Sequence, residues 1–399
     1  MKRIITPLPV TVIQSIENHI SNRYPSIKAT HKTKLFTILS ELWVFIKDKH
    51  LGSTLKLESS EQRIKESGKS HLNWVNINTS ELIQFNTSIN KIRFTYSKLL
   101  DILLDLNLIE RNDTYNVGNF SKSYRPASDI NYSTIRNIEI NLSKVFKNVK
   151  SKSDLIKENS HQYLKLIEDL YLTKIDLTRF YSDIDQMIGM PYSKKTTAVL
   201  TPAKIYSLKL QALKINLGLH FFSVSSTGRV YSSIANLPTI MISYLTLNNE
   251  SVTEIDATNS QPLLLSSLVN HSKFTRDVES GVFYETMAES MGITRHEFKM
   301  KSYRWIFFND NQIGSVWTKR LDKVYPGLAN QINEIKKTDK LWFLLQKAEA
   351  DIWIKIALKQ PDPVLTRHDS ILITDNEIES IKKQLKTEYK KRGMKVTLK

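Results

Sequence analysis

The chain has 399 residues, enough for two or three units at roughly 100–200 residues each. Its 57 Lys and Arg against 40 Asp and Glu leave a formal net charge of +17, which favours a polyanionic partner, either nucleic acid or an acidic membrane surface. The absence of cysteine excludes disulfides, thiolate zinc sites and cysteine nucleophiles, so any metal must be held by oxygen or histidine. With 11 glycines and no GxxxxGK[ST], a glycine-rich phosphate cradle is not expected either.

No apolar run of about 18 residues occurs, and the opening segment is broken by Pro7, Pro9 and Glu17. Neither a transmembrane span nor a secretory signal is expected, and the chain reads as soluble and cytoplasmic. Residues 32–49 place Leu35, Ile38, Leu39, Leu42, Phe45 and Ile46 on one helical face. A polar stretch follows from Gly52 to Asn73. Residues 94–109 again carry apolar side chains at helical spacing, Leu99, Leu100, Leu103, Leu104 and Leu108, with Thr95 or Ser97 able to cap them. Two strand-like runs then flank a turn at Asn112 and Asp113, and Lys122 and Arg125 lie just beyond. Helices followed by a basic ribbon resemble a winged helix, so 1–127 is expected to be a mainly helical, winged-helix-like DNA-binding domain; a small α+β domain with merely solvated charges gives the same pattern.

The polar segment 128–160 holds Lys144, Lys147, Lys150, Lys152 and Lys157 and is expected to be a linker or a basic helix. Residues 161–219 read as largely helical, with a break near Gly189 and Pro191 and a resumption at Pro202. From 220 to 399 strands and helices alternate.

Three features in this last region carry chemistry. Asp256 ends an apolar strand beside a small residue, a position that suits a metal ligand or a helix cap. Arg295, Lys299, Tyr303 and Phe307 recur at i+4 on a predicted helix, so two cations stand beside two rings. That face fits a triphosphate and a stacked base, although a half-buried helix with snorkelling basic residues has the same stripe. PVLTRHDSILIT reads as a hairpin that delivers Asp369 at its tip, where it serves either a metal or its own turn. Two carboxylates from distant segments are the minimum for a pair of Mg²⁺ ions at a phosphoryl centre.

Taken in order, these segments resemble the catalytic half of family A DNA polymerases and the related phage-type single-subunit RNA polymerases. Thr227-Gly228-Arg229 with Ser232, Asn236 and Leu237 is similar to the TGRxSSxxPNLQ segment, with Val230-Tyr231 nearer the RNA polymerase form. Asp256 to Gln261 resembles the first metal motif, the 295–307 stripe the fingers helix, and Gln346 to Ile352 the QGxxADI helix. His368-Asp369-Ser370 resembles the final HDE or HDS motif. The resemblance covers about residues 200–399.

It implies an α+β right-hand polymerase, with a thumb-like region at 161–219, palm and fingers at 220–399 and fingers at about 265–320. It implies a compact template-directed DNA polymerase without a proofreading domain, serving a phage, plasmid or mobile element, with a DNA primer-template and nucleoside triphosphates as partners. Asp256 and Asp369, with the Ala257 carbonyl, would hold two Mg²⁺ ions. Lys299 would be the third catalytic residue, and Arg295, Lys299, Tyr303, Phe307 and Gln261 would meet the nucleotide. Arg229, Gln346 and His368 would meet the primer terminus. Two departures favour deoxynucleotides: Gln261 stands where family A has a sugar-gating Glu and the RNA polymerases have Gly, and Phe307 replaces a tyrosine. In a register shifted by two residues Gln261 moves away from the sugar and Leu263 nearer it. The alternatives are an RNA polymerase or primase-like enzyme on the same fold, and a non-catalytic DNA-binding replication initiator.

Overall fold

A computed structural model describes residues 3–58, 74–112, 122–141, 151–191, 199–302, 306–307 and 316–399. It is a mixed α+β chain that divides into two units. One comprises Met1–Val149, Tyr181–Pro191 and Val199–Leu213; the other comprises Lys150–Phe180 and Lys214–Lys399. Among the described residues no helix is long and apolar enough to cross a membrane.

The first unit opens with β1 (Arg3–Pro9), α1 (Val10–Arg23) and α2 (Ala29–Glu58). The six apolar residues expected on one face of α2 are all buried. Burial also runs right round the helix from Ser40 to Lys47, which brings Glu41 and Lys47 into the interior. The polar stretch expected from Gly52 begins inside α2, and 59–73 lie outside the described residues. Beyond it come β2 (Val75–Asn76), the hairpin β3 (Thr87–Ile89) and β4 (Ile92–Phe94), and α3 (Tyr96–Asp105). Thr95 caps α3 by accepting from the Lys98 amide at 3.3 Å. The helix ends early because Asn107 takes a left-handed φ of 52°, which turns the chain into β5 (Ile109–Asn112).

β5 pairs antiparallel with β6 (Ser123–Pro126), which also pairs with β2. Arg125 on β6 bonds Glu110 at 2.8 Å and lies 4.4 Å from the Trp74 ring. Within the polar segment expected to be linker or basic helix, residues 135–141 instead form β7 (Ile135–Asn141). β7 pairs with β1 over seven positions, from Arg3 opposite Asn141 to Pro9 opposite Ile135. Lys144, Lys147 and Lys150 lie outside the described residues, while Lys152 begins α4 (Lys152–Glu158) of the second unit.

In the second unit α5 (Leu164–Tyr171) and β8 (Thr173–Ile175) come first, so the segment expected to be largely helical contains a strand; α6 (Leu177–Gln186) follows, divided between the units at Phe180 and Tyr181. α7 (Pro202–Asn216), which belongs to the first unit up to Leu213, leads to the second unit's hairpin β9 (Phe222–Val224) and β10 (Val230–Ser232). β8 pairs with β11 (Leu245–Leu247), whose other neighbour is β12 (Glu250–Ser251). Then come β13 (Thr253–Asp256) and a helical excursion: α8 (Ser260–Ser266), α9 (Ser272–Glu279), α10 (Phe283–Met291), α11 (Arg295–Ser302), α12 (Val316–Val324) and α13 (Leu328–Thr338). α14 (Leu341–Lys359), β14 (Leu365–Arg367), β15 (Ser370–Ile373) and α15 (Ile378–Lys391) complete the unit. The sheet that positions the site has the order β13-β15-β14, all antiparallel. Ile255, Leu365, Ile371, Leu372 and Ile373 are buried, so both faces of the sheet are covered, and Trp353 of α14 donates to Tyr389 of α15 at 3.2 Å.

Candidate active site

Asp256 ends β13 directly opposite Ser370, and Asp369 precedes Ser370 in the turn between β14 and β15. Asp256 thus ends one strand and Asp369 immediately precedes its neighbour. Strand pairing puts them there: Ile255 lies opposite Ile371, both fully buried, and a slip of one residue would turn Ile255 out of the core. The expected hairpin is present, with His368 and Asp369 as its two loop residues and His368 in the left-handed region at φ 57°. Behind the turn Glu254 accepts from the Ser370 hydroxyl at 2.6 Å and from Arg367 Nη1 at 2.8 Å.

Burial pushes the Asp256 carboxyl up to about 6, and the carboxylates of Asp369 and Glu254 push it the same way, against the pull of Lys299 and Lys399. Asp256 thus sits in a field of like charge that a bound cation would relieve. Its backbone is fixed from the other side as well. The Lys399 amide donates to the Asp256 carbonyl and the Thr258 amide to the Thr397 carbonyl, each at 2.9 Å.

Arg229 follows a tight turn in which the Gly228 amide donates to Ser225 at 2.9 Å, and Gly228 takes a φ of 81° that suits glycine. The Arg229 guanidinium is paired with Glu349 of α14, whose side chain is 1% exposed. The other Glu349 oxygen accepts from the Ser260 hydroxyl and from Gln261 Nε2, each at 2.8 Å. Gln261 is 7% exposed. Burial holds the Glu349 carboxyl above its usual range, opposed first by Arg229. The His368 ring meets Tyr231 edge-on at 5.2 Å, and burial, followed by the Arg229 charge, holds its imidazole below the usual range.

Arg295 and Lys299 stand four residues apart on α11, each 5.5 Å from the centre of the Tyr284 ring. Arg295 also pairs with Glu285. Lys299 reaches Asp256 electrostatically, which links α11 to the aspartates. Phe307 is buried at 1% exposure, Tyr303 lies outside the described residues, and Gln346 is half-buried one turn before Glu349 on α14. The structure thus gathers Asp256, Asp369, Arg229, His368 and Gln261, with Lys299 in reach.

Glu349 and Glu254 were missed by sequence reasoning. Glu349 was findable: on α14 it shares a face with Leu345, Ile352, Trp353 and Ile356, all buried, and an acid at such a position signals a paired interior charge. Glu254 left no signal, since an acid on a short strand is ordinary.

Around the two aspartates several buried polar atoms lack a hydrogen-bond partner among the described residues: Arg229 Nε, Thr258 Oγ1, His368 Nδ1, Arg367 Nε and both amide atoms of Asn259. Such atoms are costly in a purely structural role and are common where a ligand binds. Among the described residues no group of three or more His, Asp or Glu side chains gathers to hold a metal. A cation here would rest on Asp256, Asp369 and main-chain oxygen, a hard all-oxygen set that suits Mg²⁺ with its own waters and substrate phosphates.

No protein-family model matches the chain, and no curated protein matches it. Among solved structures it is similar to the POL domain of Pol1 from M. smegmatis, in complex with DNA primer-template and dNTP. The TM-score is 0.36 and the identity 11%, over 96% of this chain and 70% of that one.

Proposed function

We propose that the chain is a template-directed nucleotidyltransferase, a compact DNA polymerase acting on a DNA primer-template and nucleoside triphosphates. The observation that supports it is the placement of Asp256 at the end of β13 beside Asp369, which lies in the turn leading into the neighbouring strand β15. Magnesium, when held by these carboxylates and the Ala257 carbonyl, supplies Lewis-acid stabilisation of charge at phosphorus and lowers the pKa of an attacking hydroxyl.

The chain's own residues do the rest. Lys299, beside Tyr284 and in reach of Asp256, neutralises phosphate charge and holds the proton that the leaving pyrophosphate takes. Arg295 grips the same phosphates, a role in which it exchanges Glu285 for the nucleotide. By its place in the stripe Tyr303 is the stacking ring, and Phe307 is a buried side chain. Arg229, Gln346 and His368 face the minor groove of the primer terminus, where correct pairs offer similar acceptors. In the first unit the β5–β6 ribbon with Arg125 and Trp74 provides a separate DNA contact.

A second reading, RNA as the product, is favoured by one observation: the Gln261 amide is engaged by Glu349, which weakens its case as a sugar gate. Extension of one primed template with deoxy- or ribonucleotides, by wild type and Asp369→Ala, tests both. Mg²⁺-dependent extension with deoxynucleotides, lost in Asp369→Ala, is expected. Extension with ribonucleotides alone moves the conclusion to the second reading, and extension with neither overturns both.

A further inference from the structure

Away from the aspartates, the last two turns of α14 and the outer face of α15 enclose a groove of about 270 Å³. Lys355 and Lys359 line one wall and Lys383 and Lys391 the other, all of them exposed. The walls are tied together beneath by the bond from Gln360 Nε2 to Gln384 Oε1 at 3.0 Å. Ile356 and Thr387 also line the groove.

Its one acid, Glu388, is taken up by its neighbours: Lys391 bonds it at 2.8 Å and Arg392 at 3.2 Å. Lys359 and Lys383 make no ion pair among the described residues and Lys355 acts on Glu388 only electrostatically, so four lysines against one shared carboxylate leave the groove net positive. The charge extends beyond it. From Ile378 to Lys399 eight Lys and Arg stand against two acids, a large part of the net +17 of the whole chain.

The spacing along the walls favours an extended polyanion over a compact one. Lys355 and Lys359 are one helical turn apart, about 6 Å, and Lys383 and Lys391 two turns apart, about 12 Å. Two rows of flexible ammonium groups beside a hydroxyl and an amide match the repeating charge of a phosphodiester strand. The groove is not part of the candidate active site. Lys355 follows Gln346 by nine residues, two and a half turns at about 3.6 residues per turn, and so stands on the opposite side of α14.

We infer that the α14–α15 groove is a second nucleic-acid site, which holds the sugar-phosphate backbone of a strand remote from the reacting 3′ end. It rests on the reading that the chain handles nucleic acid but not on catalysis. Its role is to keep the polymer attached while the reacting end moves, and it recognises phosphate without regard to sequence.

The test uses the full chain and the triple variant Lys355→Gln, Lys359→Gln, Lys383→Gln, whose changes are all on the surface. Binding of a fluorescein-labelled single-stranded oligodeoxythymidylate and of a labelled primed duplex is measured by anisotropy across a salt series. Loss of three phosphate contacts should make the slope of log Kd against log salt shallower by about 2 to 3 for at least one of these probes. Single-turnover extension at saturating primer-template should be unchanged. Slopes equal to wild type for both probes overturn the inference. So does a variant that loses competition by linear inorganic polyphosphate while keeping the wild-type slopes, because the groove then takes a free polyphosphate. Asp369→Ala, run alongside, should keep the wild-type slopes. If wild type extends no primer, the proposed function fails while the salt slopes still decide the groove.

Discussion

Glu349 joins Arg229 to the start of α8, holding the guanidinium with one carboxylate oxygen and the Ser260 hydroxyl and Gln261 amide with the other. One buried carboxylate thereby fixes two of the segments that bracket the aspartates. Removing one partner of such a pair leaves the other charge buried and unmatched. Glu349→Ala should lower stability by about 3–5 kcal/mol, and the double change Arg229→Met, Glu349→Leu should recover most of that loss. Urea denaturation midpoints of the three proteins check it.

Asp256→Ala and Asp369→Ala should each lower nucleotide incorporation by about a thousandfold or more, roughly 4 kcal/mol of barrier, while DNA affinity stays within about twofold. Single-turnover extension and anisotropy on one labelled substrate separate the two quantities. Comparable incorporation by either variant removes the site assignment.

Mg²⁺ should raise the thermal midpoint of the wild type at pH 7.5, by about 1.4 kcal/mol of stability at ten times its Kd. The double variant Asp256→Asn, Asp369→Asn should show no such rise. With the Asp256 carboxyl pushed up to about 6, protons compete with the cation below that pH, and the stabilisation by Mg²⁺ should shrink as pH falls from 7 to 5. Differential scanning calorimetry with and without the metal follows both effects.

His220 gives the fold a pH dependence separate from the aspartates. Burial, with a smaller push from Lys174, lowers its imidazole to about 4 from an ordinary 6.5, and neither ring nitrogen has a hydrogen-bond partner among the described residues. Between these values the unfolded chain binds more protons than the folded one, so stability rises with pH. The contribution is fully present above pH 6.5 and is lost as pH falls through about 4. Its size is about 3 kcal/mol. His220→Phe should flatten this part of the stability profile, measured by urea denaturation from pH 4 to 7.

Gln261→Gly tests the sugar gate. Because its amide is bonded to Glu349, the substitution should lower extension efficiency by loosening Glu349, and leave the ratio of deoxy- to ribonucleotide incorporation within about twofold. A variant that admits ribonucleotides tenfold better restores Gln261 to the gate and strengthens DNA as the product.

Local patterns in the sequence carried further than non-local ones. A helix within 94–109, which the structure confines to Tyr96–Asp105, and the hairpin with Asp369 at its tip were legible because spacing, cap and turn residues lie within a few positions of one another. β7 was not. Its partner β1 lies at the other end of the first unit, and Pro7 and Pro9 read there as breakers, although a two-stranded sheet has only edge positions and tolerates them. The two aspartates were expected to act together only through the order of the motifs, since their adjacency depends on a strand register that sequence spacing does not encode. Glu349 was visible as an acid on an apolar face, but its ties to Arg229 and Gln261 exist only once α14 packs against α8.

Ser370 and Glu254 are bonded across the β13–β15 pair, yet 116 residues separate them along the chain. Long-range pairings of this kind form slowly, since the entropy of closing so large a loop is lost before any contact repays it. The helices of the excursion can form on local contacts while β13 still has no neighbour. Asp256 and Asp369 are therefore expected to meet late in folding, and a chain stalled earlier would look helical in far-ultraviolet circular dichroism while lacking the carboxylate pair. In a refolding experiment, recovery of Mg²⁺-dependent stabilisation should lag behind recovery of helix.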